Sequence, residues 1–357
     1  MNVLKCFAVA GLGAVLAAAT RGESTLTTDP VGFVRVQTPA AAEAAVACPF
    51  ERPWEFYGKV ASVAGGVVTV AGRPAWPAAR FVFAAPAQRK TYYARFTSGA
   101  RAGAFFTVLS NGADTLVLDL NGDSLAQVAA GDLLTVTPYW TIGSLFPATA
   151  AGVSFESSPS AVSRRTELFV PDQSAVGTNP SAAATYYFLN GAWRRFGASI
   201  TESFDDAVIL PDSYLLLRNR AFSGTTMFVG SVLMSDIRIG LNSLPAAKQD
   251  NLVALARPID VSLANSGLIA SGAFRATLSP AARLDELFVF DNAAPGINKG
   301  VAAIYYFYNG AWRKIGRPVT EDCGAELVFK TGQGAIIRKA ESGAPAATTD
   351  WVNKPTY

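Results

Sequence analysis

Hydrophobic and polar residues alternate along much of this chain, and short turn sequences of glycine and asparagine interrupt the alternation. The stretch "TYYFLNGAWRRF" shows the pattern most clearly, because β-branched and aromatic residues flank Asn190-Gly191. Asn-Gly between two such runs is the strongest short-range signal for a type I′ hairpin, since both turn positions need positive φ. No long segment follows the 3.6-residue period of a helix. The pattern therefore predicts an all-β fold.

The two-residue turn fixes which residues of the hairpin face each other. Successive side chains in a strand point to opposite faces of the sheet. We therefore expect Trp193 to share a face with Phe188, and the other face to carry a tyrosine and an arginine. The expected cross-strand pairs are Leu189 with Ala192, Phe188 with Trp193, Tyr187 with Arg194 and Tyr186 with Arg195.

The same hairpin sequence occurs a second time, as "YYFYNGAWRK", further along the chain. Residues 165–197 match residues 284–316 at 19 of 33 positions without a gap. Identity this dense in one register indicates a duplicated unit of roughly 110–120 residues. We expect the turns and tryptophans of both copies to be structural, namely Asn190, Gly191, Trp193, Asn309, Gly310 and Trp312.

Other turn signals extend the same pattern to the rest of the chain. "GKVASVAGGVVTVAG" predicts strand, turn and strand, and Asn111-Gly112 predicts a further hairpin. Turn signals spaced about 8–12 residues apart are typical of β-sandwiches and small β-barrels. We expect tandem modules of this kind: a signal peptide at residues 1–22, an N-terminal β module at 23–130, and two repeats at 131–249 and 250–357.

The N-terminus predicts export. "MNVLK" is a short basic segment, "CFAVAGLGAVLAAA" is apolar, and small residues suited to cleavage follow, with Ala19 or Gly22 as the last residue removed. The apolar run is shorter than the roughly 18 residues that a membrane-spanning helix needs. We expect no transmembrane segment after cleavage, and a periplasmic, cell-surface or extracellular location.

Composition excludes several classes of function. The formal net charge is only +3, 16% of residues are charged, and no long basic run occurs, so the sequence does not favour nucleic-acid binding. The chain has no histidine, which excludes Ser-His-Asp and Cys-His catalytic systems and histidine-ligated metals. We expect no cofactor, no metal and no enzymatic activity.

Two cysteines remain once the signal peptide is removed, Cys48 and Cys323. In an oxidising compartment they could form a disulfide that ties the start of the mature chain to the last module. Alternatively, both are buried, unpaired thiols.

Aromatic side chains on the hairpins offer a possible binding surface. If the tryptophans face inward, the exposed set is Tyr187, Arg194, Tyr306 and Arg313. Tyrosine rings can stack on sugars and arginines can bond their hydroxyl groups, and two copies would bind bivalently. The alternative is that these tyrosines are ordinary half-buried strand residues covered by the arginines.

Paired carboxylates suggest a glycosidase site at Glu167 and Asp172, or at Glu286 and Asp291. Residues five positions apart in a strand point to opposite faces, and both copies keep the pair. A scaffold role, in which each glutamate pairs with a basic residue such as Arg194 or Arg313, fits better.

Asp119 to Asp123 places oxygen-bearing side chains at alternate positions, as calcium loops do. No glutamate closes a twelve-residue loop, so a polar hairpin turn is the simpler interpretation.

Several motifs together resemble those of an uncharacterised family of secreted bacterial proteins. They are "TTDPVGFVRV" after the signal peptide, "TPYWTIGSLFP", the paired "YYFLNGAWR" and "YYFYNGAWR", "GAIIRK" and the terminal "WVNKPTY". The resemblance covers nearly the whole mature chain. It implies secretion and a shared β-rich fold, and it implies no activity.

The sequence thus predicts a secreted, non-enzymatic β-protein that acts as a structural, adhesive or interaction component of the cell envelope or exterior. Its partners are expected to be copies of itself, paired through strand edges, or envelope components. The alternative is a polysaccharide-binding module that uses the hairpin tyrosines and arginines.

Overall fold

Strands make up nearly all the regular structure of the chain, so the predicted all-β class is confirmed. The computed structural model describes residues 30–357, and the signal peptide predicted at residues 1–22 lies outside the described residues. Within the described part, no helix is both long and apolar enough to cross a membrane.

The strands of the described residues are numbered in chain order. Strands β1 to β8 are Val31–Thr38, Ala42–Val46, Phe56–Ala64, Val67–Val70, Tyr92–Phe96, Phe105–Asn111, Thr115–Leu118 and Leu133–Pro138. Strands β9 to β16 are Trp140–Thr141, Thr166–Pro171, Ala182–Leu189, Ala192–Arg195, Val208–Ile209, Leu215–Asn219, Gly224–Ser231 and Ile237–Ser243. Strands β17 to β24 are Gln249–Ala254, Val261–Ser262, Glu286–Val289, Ala303–Tyr308, Ala311–Lys314, Leu327–Phe329, Gly334–Lys339 and Ala347–Asn353. The helical elements are α1 (Ile142–Leu145) and two 3-10 turns, Ala148–Ala150 and Ala264–Ser266.

Strands β3 to β8 close into a six-stranded barrel in the order β3-β4-β7-β6-β5-β8. Gly65 has a φ of 57° and allows the tight turn from β3 to β4 that the sequence predicted. Alternate side chains point inward and form one apolar core, because strand residues alternate between the two faces. That core includes Val60, Val68, Phe81, Phe96, Leu116 and Leu134.

The first repeat consists of β1, β2 and β9 to β15. Its main sheet has the order β12-β11-β10-β14-β2, and β1 pairs with β15 in a separate two-stranded ribbon. The core between them contains Trp193, whose indole N–H donates to the carbonyl of Phe146 at 2.8 Å. Phe155 and Phe188 pack on the same tryptophan with ring centroids 5.0 and 5.5 Å from it.

The second repeat consists of β16 to β24 and reproduces the arrangement of the first. Its main sheet has the order β21-β20-β19-β23-β17, and its ribbon pairs β16 with β24. A short pair, β18 with β22, corresponds to β9 with β13 in the first repeat. The expected internal duplication is therefore present as two copies of one strand topology.

Both hairpins have the predicted register. Phe188 lies opposite Trp193, and Phe307 lies opposite Trp312. Asn190 and Gly191 have φ values of 52° and 75°, which is the positive pair that a type I′ turn requires. A turn that admits only such residues determines the pairing of the strands on either side.

The predicted boundaries of the modules do not follow the hydrogen-bonded sheets. Strands β1 and β2 fall within the predicted N-terminal module at 23–130, but β1 pairs with β15 and β2 pairs with β14. Strand β8 belongs to the barrel, although it lies beyond residue 130. Strand β16 pairs with β24, so the second repeat begins near residue 237 and not at 250.

The barrel is therefore an insertion in the first repeat. In the second repeat only residues 255–260 separate β17 from β18, whereas residues 47–139 separate the equivalent strands β2 and β9. The insertion explains why the sequence comparison found the duplication only downstream of the barrel.

The two repeats contact each other through equivalent positions. The side-chain amide of Asn292 accepts from the backbone N–H of Ala45 at 2.8 Å and donates to its carbonyl at 2.9 Å. Gln173, which occupies the corresponding position in the first repeat, donates to the carbonyl of Leu252 at 2.9 Å. Tyr214 is buried in the small apolar cluster between these contacts. The repeats are thus related by an approximate two-fold axis.

Candidate functional site

The hairpin side chains predicted to form an exposed binding surface are buried. Tyr187 is 2% exposed and Tyr306 is 5% exposed, and Arg194 and Arg313 are also buried. The expectation that these four residues face solvent is therefore wrong.

A layer of ion pairs covers that face of the first sheet. The carboxylate of Glu167 accepts from Arg164 at 2.6 Å and from Arg220 at 2.7 Å. The guanidinium of Arg164 lies 6.0 Å from the ring centroid of Tyr187. Arginine stems can cover apolar surface while the charged groups stay hydrated, so the tyrosine is shielded by residues that are distant from it in the sequence.

The second repeat has the same layer. Glu286 accepts from Arg283 at 2.7 Å and lies 3.8 Å from the ammonium of Lys248. Arg283 in turn lies over the ring of Tyr306 at 5.7 Å. Glu167 and Glu286 thus form the ion pairs that the scaffold interpretation predicts. Their partners are not Arg194 and Arg313 but the basic residues Arg164, Arg220, Arg283 and Lys248.

The predicted partners bond to backbone oxygens instead. Arg194 donates to the carbonyl of Leu189 at 3.3 Å, and Arg313 donates to that of Glu321 at 2.8 Å. The aspartates of the proposed glycosidase pairs also have local roles, because Asp172 accepts from the backbone of Ser174 and Asp291 from that of Ala293, both at 2.9 Å. Each carboxylate of these pairs thus has a bonding partner of its own.

The two cysteines are not bonded to each other. Cys48 and Cys323 are both free, because Cys48 packs against the core of the first repeat and Cys323 lies in the core of the second. Burial raises the pKa of the Cys48 thiol to about 12. The alternative of two buried, unpaired thiols describes the structure.

The segment from Asp119 to Asp123 forms a polar turn after β7. Asp119 accepts from the backbone N–H of Asn121 at 3.2 Å, and Asp123 forms an ion pair with Arg101. In residues 30–357 no group of three or more acidic, cysteine or histidine side chains is arranged to hold a metal ion. The turn instead forms one wall of a cleft.

This cleft lies where the barrel meets both repeats and has a volume of about 1140 Å³. The barrel contributes one wall through β6 and the turn after β7. The first repeat contributes a second wall through the loop after β10, and the second repeat contributes a third through its β16–β24 ribbon. Clefts between structural units are common sites for ligands.

Arginines hold the barrel against the second repeat at one end of the cleft. Arg238 on β16 donates to the carbonyl of Ala100 at 2.9 Å and to the carboxylate of Asp350 at 2.7 Å. Arg101 of the barrel reaches the same carboxylate at 3.4 Å. Gly103 permits this approach, because a Cβ there would lie 2.9 Å from backbone atoms of β16.

Glutamines close the other end of the cleft. The side chain of Gln249 on β17 donates to the carbonyl of Ala175 at 3.0 Å and accepts from the backbone N–H of Gly177 at 2.8 Å. Gln173, described above, makes a parallel bond from the same loop. The walls of the cleft are thus fixed to each other by bonds between units.

Aromatic and hydroxyl groups form the floor of the cleft. The hydroxyl of Tyr139 is 2.8 Å from that of Thr107, and Phe105 lies half-buried beside them. Behind this floor Arg95 is fully buried and forms an ion pair with Glu51 at 2.7 Å. The buried cation behind the floor is therefore neutralised.

Asp212 is a half-buried carboxylate in the wall of this cleft. Burial raises the pKa of Asp212 above its usual range. Its side chain forms no ion pair with any described residue within 4.0 Å. A partly buried carboxylate without a cation is unfavourable unless something else compensates it.

A second exposed feature is the outer face of the β1–β15 ribbon. Phe33 lies opposite Val229, and the two side chains are 71% and 46% exposed. Val31 and Met227 extend the same apolar face. The equivalent ribbon of the second repeat is polar and lines the cleft.

The sequence alone does not predict the cleft, since its walls come from residues 101–123, 173–176 and 346–350, which only the fold brings together. The one local signal is the polar turn from Asp119 to Asp123, which belongs to the lining. Comparisons with protein-family models, with curated proteins and with solved structures found no match for this chain.

Proposed function

We propose that this chain is an exported, non-enzymatic interaction protein of the cell envelope or exterior, and that it binds a polysaccharide in the cleft between the barrel and the two repeats. The observation that carries the proposal is the cleft itself, with its volume of about 1140 Å³ and its walls bonded to one another. This site replaces the hairpin tyrosines and arginines, which are buried.

The chemistry of the lining supports a saccharide. Asn121, Ser174, Thr348 and Gln173 all line the cleft and are exposed to solvent. Amide and hydroxyl side chains both donate and accept hydrogen bonds, as the hydroxyl groups of a sugar do. The ring of Phe105 offers an apolar surface for the face of a sugar ring.

The size of the cleft supports a chain of sugars over a single one. Pockets for small ligands are usually about 300–1000 Å³, and this cleft exceeds that range. A saccharide chain could enter between the exposed turn at Asn121 and the strand that carries Thr348. Several weak contacts along the polymer would then add up.

The test is retention of the purified mature chain on a panel of immobilised glycans. A Thr348→Trp variant fills the cleft from an exposed strand position, and tryptophan is well tolerated in strands. We expect the wild type to bind at least one polysaccharide and Thr348→Trp to lose that binding.

The control is Thr201→Trp, on an exposed turn outside the cleft. Each substitution removes one hydroxyl bond, because Thr348 bonds to Asn242 at 2.7 Å and Thr201 lies 2.9 Å from the hydroxyl of Ser199. Retention that survives Thr348→Trp, or the absence of retention on every glycan, would count against the proposal.

The apolar face of the β1–β15 ribbon favours a second function, self-association. Strand β1 pairs with β15 along one edge, and its other edge pairs with no strand among the described residues. An open strand edge is a ready template for another chain. A second copy that presents the same edge would bring Phe33 of each chain together about a two-fold axis.

Sedimentation across a range of concentrations tests self-association. We expect Phe33→Glu to abolish a concentration-dependent increase in mass. Val162→Glu is the matched control, because Val162 is 91% exposed and belongs to the loop before β10, not to β1 or β15. A wild-type chain that stays monomeric at high concentration would contradict this second function.

A further inference from the structure

The charges of the cleft lining are unbalanced. Two arginines and four aspartates line it, and no lysine or glutamate does. Arg101 and Arg238 are engaged by Asp123 and Asp350. The other two carboxylates, those of Asp119 and Asp212, form no ion pair with any described residue.

Asp212 is the better placed of these two for a ligand. Asp119 lies at the exposed rim and bonds to its own turn, whereas Asp212 is half-buried deeper in the wall. The chain fixes its position, because the backbone N–H of Ala254 donates to the carbonyl of Asp212 at 2.8 Å. This bond fixes the backbone at Asp212, and its carboxylate accepts from its own backbone N–H. No ion pair with a described residue neutralises that carboxylate.

The charged and titratable groups around Asp212 do not supply that cation. Arg95 is the basic group close enough to influence it, and Arg95 is already paired with Glu51. Tyr139 adds a neutral phenol, because burial raises the pKa of Tyr139 far above neutrality. A cationic group would have to come from outside the chain.

We propose that the polysaccharide bound in this cleft carries free amino groups, and that Asp212 accepts hydrogen bonds from one protonated amine of an amino sugar. This inference rests on the proposed function, since it assumes that the cleft binds saccharides. A hydrogen bond between an ammonium and a carboxylate is roughly twice as strong as one between neutral groups.

The charge balance also disfavours an acidic polysaccharide. An acidic polysaccharide would bring its carboxylates or sulfates towards Asp119 and Asp212, and like charges at short range repel. A neutral saccharide would leave Asp212 uncompensated after water is displaced, which is unfavourable for a buried charge. An unacetylated amino sugar satisfies both the hydroxyl-rich lining and the free carboxylate.

The test compares two oligosaccharides that differ in a single group. Binding of a glucosamine tetramer and of an N-acetylglucosamine tetramer is measured by titration calorimetry slightly below neutral pH, where the sugar amines are protonated. We expect the glucosamine tetramer to bind at least tenfold more tightly to the wild type. In Asp212→Asn we expect the preference to fall below twofold.

Asp291→Asn is the matched control, because Asp291 is exposed and lies outside the cleft. It should keep the tenfold preference, although the net charge changes equally. A pH series gives a second measurement on the wild type alone. The preference should weaken as pH falls towards the raised pKa of Asp212, at a higher pH than an ordinary aspartate would show.

The outcomes separate the two proposals. Equal binding of both tetramers, abolished by Thr348→Trp, would overturn the inference about amines and leave saccharide binding intact. A preference that persists in Asp212→Asn would overturn the role of Asp212. Binding of trilysine as tightly as the glucosamine tetramer would overturn the assignment to saccharides. Failure to bind any glycan would overturn both proposals.

Discussion

Glu43 and Asp250 occupy equivalent positions in the two repeats, and each carboxylate binds a loop of the opposite repeat. Glu43 accepts from the backbone N–H of Asn298 at 2.9 Å, and Asp250 accepts from that of Asn179 at 2.8 Å. Each also forms an ion pair with an arginine of its own repeat. The contact has the reciprocal form of a two-fold dimer interface, although it lies within one chain.

Replacing Asp250 should destabilise the whole molecule. Its side chain is fully buried, and Asp250→Ala leaves the guanidinium of Arg338 without its partner at 2.7 Å. Removing one member of a buried ion pair typically costs about 3–5 kcal/mol. Urea unfolding should show a loss of that size.

Glu321→Ala is the control for this substitution. It breaks the exposed ion pair between Arg317 and Glu321, and such surface pairs contribute about 0–1 kcal/mol. Equal losses for the two variants would mean that the contact between the repeats does not stabilise the fold.

The hairpin turns should depend on glycine for conformational reasons alone. Gly191 has a φ of 75°, and a Cβ there would meet no atom within 4 Å. Gly191→Ala should therefore cost about 1–2 kcal/mol, which is the penalty for an L-residue in the left-handed region.

Gly300→Ala is the control that separates the effect of backbone conformation from the effect of crowding around the added methyl group. Gly300 is also surrounded by open space, but its φ lies outside the left-handed region. We expect no measurable loss in a thermal unfolding experiment for this variant. A similar loss at both glycines would contradict the type I′ explanation.

Reducing agents should leave the stability of the protein unchanged. Cys48 and Cys323 are free, and they pack in the cores of different repeats. Because burial raises the pKa of Cys48 to about 12, its side chain stays in the unreactive thiol form at pH 8. Iodoacetamide should label the native protein very slowly, whereas it should label both cysteines of the urea-unfolded protein. Mass spectrometry counts the labels on each chain. A fall in melting temperature on reduction would show that a disulfide forms after all.

Asp212→Asn should raise the melting temperature at neutral pH. The pKa of Asp212 is raised in the folded state, so its protonated form stabilises the fold at low pH. That contribution is lost as pH rises through the folded-state pKa. The asparagine variant avoids the loss, and its advantage should shrink as the pH is lowered towards acid. An advantage that does not depend on pH would indicate a different cause.

Local features of this fold could be predicted from the sequence. The pairing of Phe188 with Trp193 follows from a turn whose conformation only a few residues adopt, so sequence neighbours alone determine it. The exposure of Tyr187 could not be predicted in this way. It depends on Arg164, just before β10, and Arg220, just after β14, which cover the face that alternation alone leaves open.

The module boundaries and the cleft were beyond sequence reasoning for a related reason. Strand β2 is separated from its neighbour β14 by the whole barrel, and no local pattern records that pairing. The wall residue Asp212 and the opposite strand at Thr348 come from different repeats. Only the assembled chain brings them to one site.

The chain enters and leaves the barrel at neighbouring points, because Phe56 at the start of β3 lies opposite Val136 near the end of β8. The second repeat shows that residues 255–260 are enough to bridge the same gap. Replacing the barrel by a short linker would therefore keep the strands of both main sheets but remove the bonds that Arg101 and Arg238 make between the barrel and the second repeat. In the loop at 255–260 the side chain of Arg257 is fully buried, whereas Ile259 is exposed. Ile259 is therefore the position at which an unrelated domain could be grafted without cutting any sheet.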